Sequence, residues 1–411
     1  MNAFLPADIL MPKTDHMEKW AVIACDQFTS DAAYWDRVRK NAEGAVSTIN
    51  LILPEAELGT EKEAAHTAEI NATMKKYMDE NVFTVYPNSY VYVERTLENG
   101  TVREGLVGMV DLDAYDYSTG ATSAIRATER TVSERIPPRQ RVRRDAPIEL
   151  PHILMLCDDH DKVLIEPIGA KKAQLKKLYD FDLMEDGGHI AGWLVDGEAL
   201  AKYSATVGEK YKGLKGVPMV FAVGDGNHSL ATAKSCYEEL KKNHPGEDLS
   251  NHPARYALVE LENIHDPVQV FEPIHRVIFK TEPKKLLKAL EDACGGAEGF
   301  PVKWYIGDES GTVVLDKNKG ELAVGILQHF LDEYLKDHAG EIDYIHDDDA
   351  LIDLAKQPDT IGFLLPAMEK SSSSAASSLT ASCRERRSRW ATAVKRDIIW
   401  KAEKSSNGDP D

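Results

Sequence analysis

The chain has little cysteine and no surplus of positive charge, and both shortages narrow what it can be. Its five cysteines among 411 residues, Cys25, Cys157, Cys236, Cys294 and Cys383, are widely scattered with no Cys-x-x-Cys pair. A disulfide framework and a cysteine-based zinc site are therefore not expected. Acidic side chains outnumber basic ones by 68 to 49, a formal charge of −19, so polyanions would be repelled. No nucleic acid and no membrane surface is expected as a partner. No apolar run reaches the roughly 18 residues that a membrane span requires, and Met1-Asn-Ala-Phe-Leu-Pro-Ala-Asp8 lacks the basic and apolar regions of a secretory signal. A cytoplasmic protein is expected. Neither a strict P-loop nor a Gly-x-Gly-x-x-Gly fingerprint occurs, which removes the commonest nucleotide folds.

What is present is an ordinary globular composition, 43% hydrophobic, in a chain long enough to bury a large core without staples. Short apolar runs alternate with helix-forming stretches. Trp20 to Cys25 reads as a strand and Ser30 to Arg39 as a capped helix; residues 60–80 are helical in composition. Tyr90 to Thr96, Asn99-Gly100 and Val102 to Val110 read as a hairpin whose turn permits positive φ. Leu154 to Cys157 and Lys162 to Glu166 suggest a second hairpin around Asp158-Asp-His-Asp161. Residues 170–179, 229–242 and 283–294 look helical, and Tyr256 to Leu261 looks like a strand. The fold class expected is α/β, a mixed sheet with flanking helices. Its expected divisions are 1–150, 151–370 and a tail of 371–411.

The most informative segment is Val220-Phe-Ala-Val-Gly-Asp-Gly-Asn-His-Ser-Leu-Ala-Thr-Ala-Lys234, an apolar strand, a polar turn and a helix start in immediate succession. Gly224 and Gly226 permit positive φ or close approach of a ligand, and the first helical N–H groups, near Ser229, face outward as anion donors. That arrangement suits a phosphate. Asp225 could take a proton from a hydroxyl or hold Mg²⁺, and His228 could do acid–base work or pair with a phosphate oxygen. The same residues also fit a plain capped helix start, with Asn227 or Ser229 as N-cap and Asp225 in an Asx-turn. Density favours function: Asp225, Asn227, His228 and Ser229 fall within five positions at a strand end, where open α/β sheets place ligands.

A second constellation, Ile125-Arg-Ala-Thr-Glu-Arg-Thr-Val-Ser-Glu-Arg-Ile-Pro-Pro-Arg-Gln-Arg-Val-Arg-Arg144, packs seven arginines into twenty residues. Guanidinium groups grip phosphate oxygens through paired donors. Arg126, Arg135 and Arg139 are candidate phosphate clamps, and Glu129 is a candidate general base or metal ligand. The alternative is a solvated helix in which Arg126 pairs with Glu129 and Arg130 with Glu134. Lesser candidates are His275 and Arg276, which could add positive charge to the pocket, and Asp26 as a weak metal ligand. His275 also fits a hydrogen-bonded sheet position, and Asp347-Asp-Asp349 fits a solvated loop.

The Gly224 to Ser229 turn resembles the Asp-Gly-His-His-Arg signature of the domain-of-unknown-function family 1015, with Ser229 where that signature has Arg. The resemblance extends through Trp20-Ala-Val-Ile-Ala-Cys-Asp-Gln27, Asn50-Leu-Ile-Leu-Pro54, Ile125-Arg-Ala-Thr-Glu129, Arg135-Ile-Pro-Pro-Arg139, Glu272-Pro-Ile-His-Arg276 and Gly362-Phe-Leu-Leu-Pro366. A similar signature occurs in the ParB/sulfiredoxin-like superfamily, which includes an ADP-using free-serine kinase. The resemblance implies a nucleotide-binding core, ADP or ATP with Mg²⁺, and a phosphotransferase acting on a small hydroxylated or phosphorylated metabolite such as serine or phosphoserine. Two alternatives stay open: a phosphomonoester hydrolase, and a nucleotide-binding regulator without turnover.

Beyond Lys370 the chain turns into Ser/Ala low complexity and then a basic stretch, the composition of a disordered extension. Relatives in the family that the chain resembles usually end in a block like Pro-Arg-Lys-Thr-Phe-Ser-Met-Gly, followed by one like Lys-Arg-Tyr-Tyr-Leu-Glu. Codons for the first block, read one base late, give Arg-Glu-Arg-Arg-Ser-Arg-Trp, which is Arg384 to Trp390; the second similarly gives Asp397-Ile-Ile-Trp400. A frameshift near residue 370 is expected.

Overall fold

The computed structural model describes residues 3–24, 31–54, 57, 60–97, 100–118, 121–127, 131, 136–150, 153–200, 219–268, 275–320, 322–345, 348–366, 397–398 and 402–404. It is a mixed α/β structure with two compact units, one built from Met1–Ala127 and Thr131–Gln269, the other centred on Val270–Thr392.

The first unit is organised by a 13-stranded sheet. Its central hairpin, Phe83–Thr96 against Val102–Asp111, is antiparallel, with Gly100 in the connecting turn at φ 79°. From the hairpin the sheet continues through Tyr256–Asn263, Leu154–Cys157, Phe221–Asp225, Ile125–Ala127 and Tyr115–Asp116. Three pairings are parallel: Leu154–Cys157 with Tyr256–Asn263, Phe221–Asp225 with Ile125–Ala127, and Ile125–Ala127 with Tyr115–Asp116. Residues on either side of position 150 thus share one sheet, and the compact units divide near residue 269 instead.

Alternation along the strands gives the sheet two buried faces. Val91, Val93 and Val107 pack with Trp20, Tyr34, Ile70 and Tyr77. Tyr92 and Leu106 pack on the other side with Phe221, Val223, Leu230 and Tyr237. Helix Glu63–Asp79 buries Glu63, Thr67, Ile70, Met74 and Tyr77, one stripe at helical spacing. Helix Ala32–Asn41 is capped by Asp31, whose carboxylate accepts from the Tyr34 N–H at 2.9 Å.

Three expected elements differ. Trp20 ends a short helix, Met17–Trp20, and only Val22–Ile23 is strand. Lys162 to Glu166 forms no hairpin arm, because Asp159 Oδ2 accepts from Val163 and Leu164 N–H at 2.8 and 2.9 Å and holds a loop instead. The stretch 170–179 is a short 3-10 turn, Lys172–Gln174, followed by strand Lys176–Asp182, which pairs antiparallel with His189–Asp196.

The second unit carries a five-stranded sheet in the order Glu309–Asp316, Gly299–Ile306, Ile361–Leu364, His275–Phe279, Glu341–Ile345, all antiparallel. Helices Pro283–Cys294 and Ala323–Asp337 cover it with Leu286, Leu290, Ile326, Leu327 and Leu331 against Val302, Leu315, Ile361 and Phe363. Within the 371–411 tail, read from sequence as structureless, two short strands occur. Asp397–Ile398 pairs with Val22–Ile23, and Ala402–Lys404 pairs with both Ala7–Pro12 and Ile148–Glu149. An open strand edge accepts backbone hydrogen bonds from almost any sequence.

Candidate functional site

Strand Phe221–Asp225 lies between Leu154–Cys157, antiparallel to it, and Ile125–Ala127, parallel to it. The parallel register pairs Phe221 with Ile125, Ala222 with Arg126 and Val223 with Ala127. Both strands therefore end on the same side of the sheet, and Arg126 stands on the strand beside the Gly224 to Ser229 turn although nearly a hundred positions separate them in sequence. This also corrects the solvated-helix reading of Arg126, which lies in a strand. Its Nε donates to the Ser123 carbonyl at 2.7 Å.

The two glycines of the turn have different tasks. Gly226 is the helix N-cap, at φ 84° and ψ 26°, in the left-handed region that glycine alone enters cheaply. Gly224 sits at a register shift between Val223 and Asp225, where a Cβ would fall 2.9 Å from Leu156 Cγ. Its small size serves packing against Leu156. Neither Asn227 nor Ser229 is the N-cap: Gly226 holds that position, and glycine has no side chain to cap the first turn. The Asp225 Oδ1 accepts from the Gly226 N–H at 2.8 Å, which orients the carboxylate at the mouth of the turn. Asn227 is buried, while Asp225, His228 and Ser229 are half-exposed.

Helix Asn227–Asn243 buries Leu230, Ala233 and Tyr237 against Ile125, Phe221 and Val223. Helix Ile136–Arg143 runs beside it: Gln140 Nε2 donates to Ser235 Oγ at 2.8 Å, and Arg144 Nη2 to Glu239 at 3.0 Å. Both contacts have a sequence offset of 95, so the helices run parallel with their N-termini at the same end. Two positive dipole ends thus point one way. Arg139 is half-exposed, next to Gln140. Three other arginines of the segment are structural: Arg141 pairs with Glu63 at 2.6 Å, Arg143 is bidentate to Glu149 at 2.7 and 2.8 Å, and Arg144 holds Glu239. Glu129, Arg135 and Asp26 lie outside the described residues, as do Arg130, Glu134 and Asp347.

His275 and Arg276 are placed differently from the phosphate-pocket expectation. Both are buried in the five-stranded sheet of the second unit. The Leu365 N–H donates to His275 Nδ1 at 3.1 Å, so Nε2 carries the hydrogen and meets Asp348 Oδ1 at 2.7 Å. Arg276 Nε donates to Gln328 Oε1 at 2.8 Å, and its guanidinium lies over the Tyr344 ring. These are the contacts of sheet residues, and Asp348 serves that role at the start of helix Asp348–Ala355. The second unit also has an open groove of about 760 Å³ lined by Thr281, Tyr334, His338 and Asp359 among others, whose Lys280 and Lys285 are ion-paired to Glu341 and Glu282.

Sequence reasoning passed over a buried charged row in the first unit. Arg126 pairs with Ala222, Ala222 with Leu156, and Leu156 with Glu262, so Arg126 and Glu262 share one face of the sheet. Glu262 and Glu260 meet Arg103 at 2.9 and 3.6 Å, and all three are buried. The signal was Val259-Glu-Leu-Glu262, charges alternating inside an apolar strand. For Mg²⁺, no group of three or more metal-ligating side chains occurs among the described residues. Such an ion commonly relies on one or two carboxylates plus substrate phosphates, and Asp225, a half-exposed carboxylate at the turn, fits that donor set.

A mixed α/β sheet with a glycine-capped turn at a strand end defines a class of fold, and the comparisons give the family. Residues 5–370 match the family described as Protein of unknown function (DUF1015), and the chain belongs to it. No curated protein matches. A solved structure, SbnI with C-terminal truncation from Staphylococcus aureus, is similar at 10% identity over 67% of this chain and 75% of that one, with a TM-score of 0.31. So distant a likeness carries no argument. No helix among the described residues is long and apolar enough to cross a membrane.

Proposed function

We propose that the chain is a nucleotide-dependent phosphotransferase acting on a small hydroxylated metabolite, serine being the first candidate, with a ParB/sulfiredoxin-like nucleotide-binding core. The observation that carries this reading is the parallel register of Ile125–Ala127 against Phe221–Asp225, which sets an arginine motif beside an anion-accepting turn. In this reading the N–H groups after Gly226, with Asn227 and Ser229, hold the phosphates of ADP or ATP. Arg126, with Arg135 and Arg139, neutralises charge on the transferring group. Asp225 accepts the hydroxyl proton or would hold Mg²⁺; Glu129 is the other candidate base, and His228 pairs with a phosphate oxygen. The substrate oxygen bonds to the terminal phosphorus, the bond to the nucleotide oxygen breaks, and the hydroxyl proton passes to the carboxylate. Positioning and charge stabilisation supply the acceleration.

The test is a thermal-shift screen with ADP, ATP, serine and phosphoserine, each with and without Mg²⁺, followed by product analysis. Binding raises the melting temperature with occupancy. Nucleotide binding with phosphoryl transfer supports the reading. Phosphate release without nucleotide marks a hydrolase, binding without product a regulator, and no response to any nucleotide overturns the proposal.

A further inference from the structure

Away from the turn, the first unit sets two carboxylates, Glu94 and Glu104, on one phenol, Tyr92, with Glu166 and Asp266 close to Glu104. Glu94 and Glu104 stand directly opposite on paired strands, an arrangement that repels when both are ionised. Tyr92 Oη lies 2.9 Å from Glu94 Oε1 and is also hydrogen-bonded to Glu104 Oε1. A phenol has one hydrogen to donate, so the second contact is attractive only if that carboxyl brings a hydrogen of its own. Lys172 Nζ ion-pairs with Glu94 Oε1.

Glu104 has acidic company instead. Its N–H donates to Asp266 Oδ2 at 3.5 Å. Glu166 Oε1 accepts from Asn263 Nδ2 at 2.8 Å, and its Oε2 is buried with no hydrogen-bond partner among the described residues. Gly169 closes over the pair so tightly that a Cβ there would fall 2.5 Å from Glu104 Oε1.

We propose that Glu104 keeps its proton at neutral pH, donates it to Tyr92 Oη, and in that form latches helix Glu166–Gly169 and the Lys172–Gln174 turn onto the sheet. Burial pushes the Glu104 carboxyl above its usual range, and the charges of Glu166, Asp266 and Glu94 add to it; a Tyr92 hydroxyl that donated to Glu104 instead would act the other way. When the proton leaves to solvent, Tyr92 satisfies only one glutamate, and the Glu104 charge is left beside those of Glu94, Glu166 and Asp266. A folded pKa raised above the unfolded value means that this stability is fully present below the unfolded value, about 4.3, and is lost as pH rises through the folded one.

Infrared difference spectra of the full chain across about pH 5 to about pH 8 test it, with amide exchange read over residues 166–174. The wild-type protein should show a protonated-carboxyl band that disappears as pH rises, with exchange of 166–174 gaining about tenfold over its intrinsic rate through the same transition. Glu104→Gln should lack the band and the gain. Absence of a titrating carboxyl band in the wild-type protein overturns the proposal whether or not the variant folds, and so does a band unchanged in Glu104→Gln.

Discussion

Gly226 holds φ 84° at the N-cap of a 17-residue helix, and an L-residue enters that region at a cost of roughly 1–2 kcal/mol. Gly226→Ala should lower stability by about 1 kcal/mol in a denaturant melt; equal stability would mean that the turn relaxes without strain. Asp225→Ala makes a different demand. It removes one hydrogen bond to a backbone N–H, worth about 0.5–1.5 kcal/mol, while phosphoryl transfer should vanish. A variant that keeps turnover would remove Asp225 from the chemistry. The sequence showed the turn, its glycines and its polar density, because those are local. It could not separate the packing task of Gly224 from the conformational task of Gly226, because Leu156 comes from another strand. Likewise Glu272-Pro-Ile-His-Arg276 read as a cationic motif, whereas Asp348, Leu365 and Gln328, distant in sequence, make His275 and Arg276 sheet residues.

Pairing partners are invisible to periodicity, and this shows at the level of elements. Lys171-Lys-Ala-Gln-Leu-Lys-Lys177 is rich in helix formers, yet its second half is strand because His189–Asp196 offers a partner. The Ile125–Ala127 pairing was equally hidden, and Arg126→Ala tests its meaning: nucleotide affinity should fall by about 1.5–3 kcal/mol in calorimetry with the fold retained. Unchanged affinity would leave Arg126 a strand residue only. The Lys176–Asp182 hairpin supplies a pH test. Both ring nitrogens of His189 meet carboxylates, Asp182 and Asp180, each at 2.7 Å, which calls for an imidazolium. Partial burial works against the charge, but the two hydrogen bonds prevail and raise the His189 pKa. Its stability is therefore present below the unfolded value of about 6.5 and lost as pH rises through the folded one. The wild-type protein should lose up to about 1 kcal/mol relative to His189→Gln between these limits, small because the pair is exposed. Parallel melting curves for the two would refute the imidazolium.

Across the whole molecule, the mixed α/β class followed from alternating element types, whereas the division into units did not, because a sheet that joins residues before and after position 150 leaves no linker to find. The tail is where sequence and structure bear on each other most directly. The family match ends at residue 370, the point where low complexity begins and near which the sequence leads us to expect a frameshift. The tail nonetheless supplies a strand, Ala402–Lys404, between Ala7–Pro12 and Ile148–Glu149, so the sheet has a place there for a closing segment. Such a place gains most from a strand whose side chains suit the neighbouring face, and a sequence read in a shifted frame would not have been selected for that. Restoring the frame after Lys370 should therefore raise stability by about 1–3 kcal/mol, the effect of burying one or two apolar side chains. It should also slow proteolysis of the C-terminal segment. A restored chain that melts and is cleaved like the original would show that the closing strand adds nothing beyond its backbone hydrogen bonds.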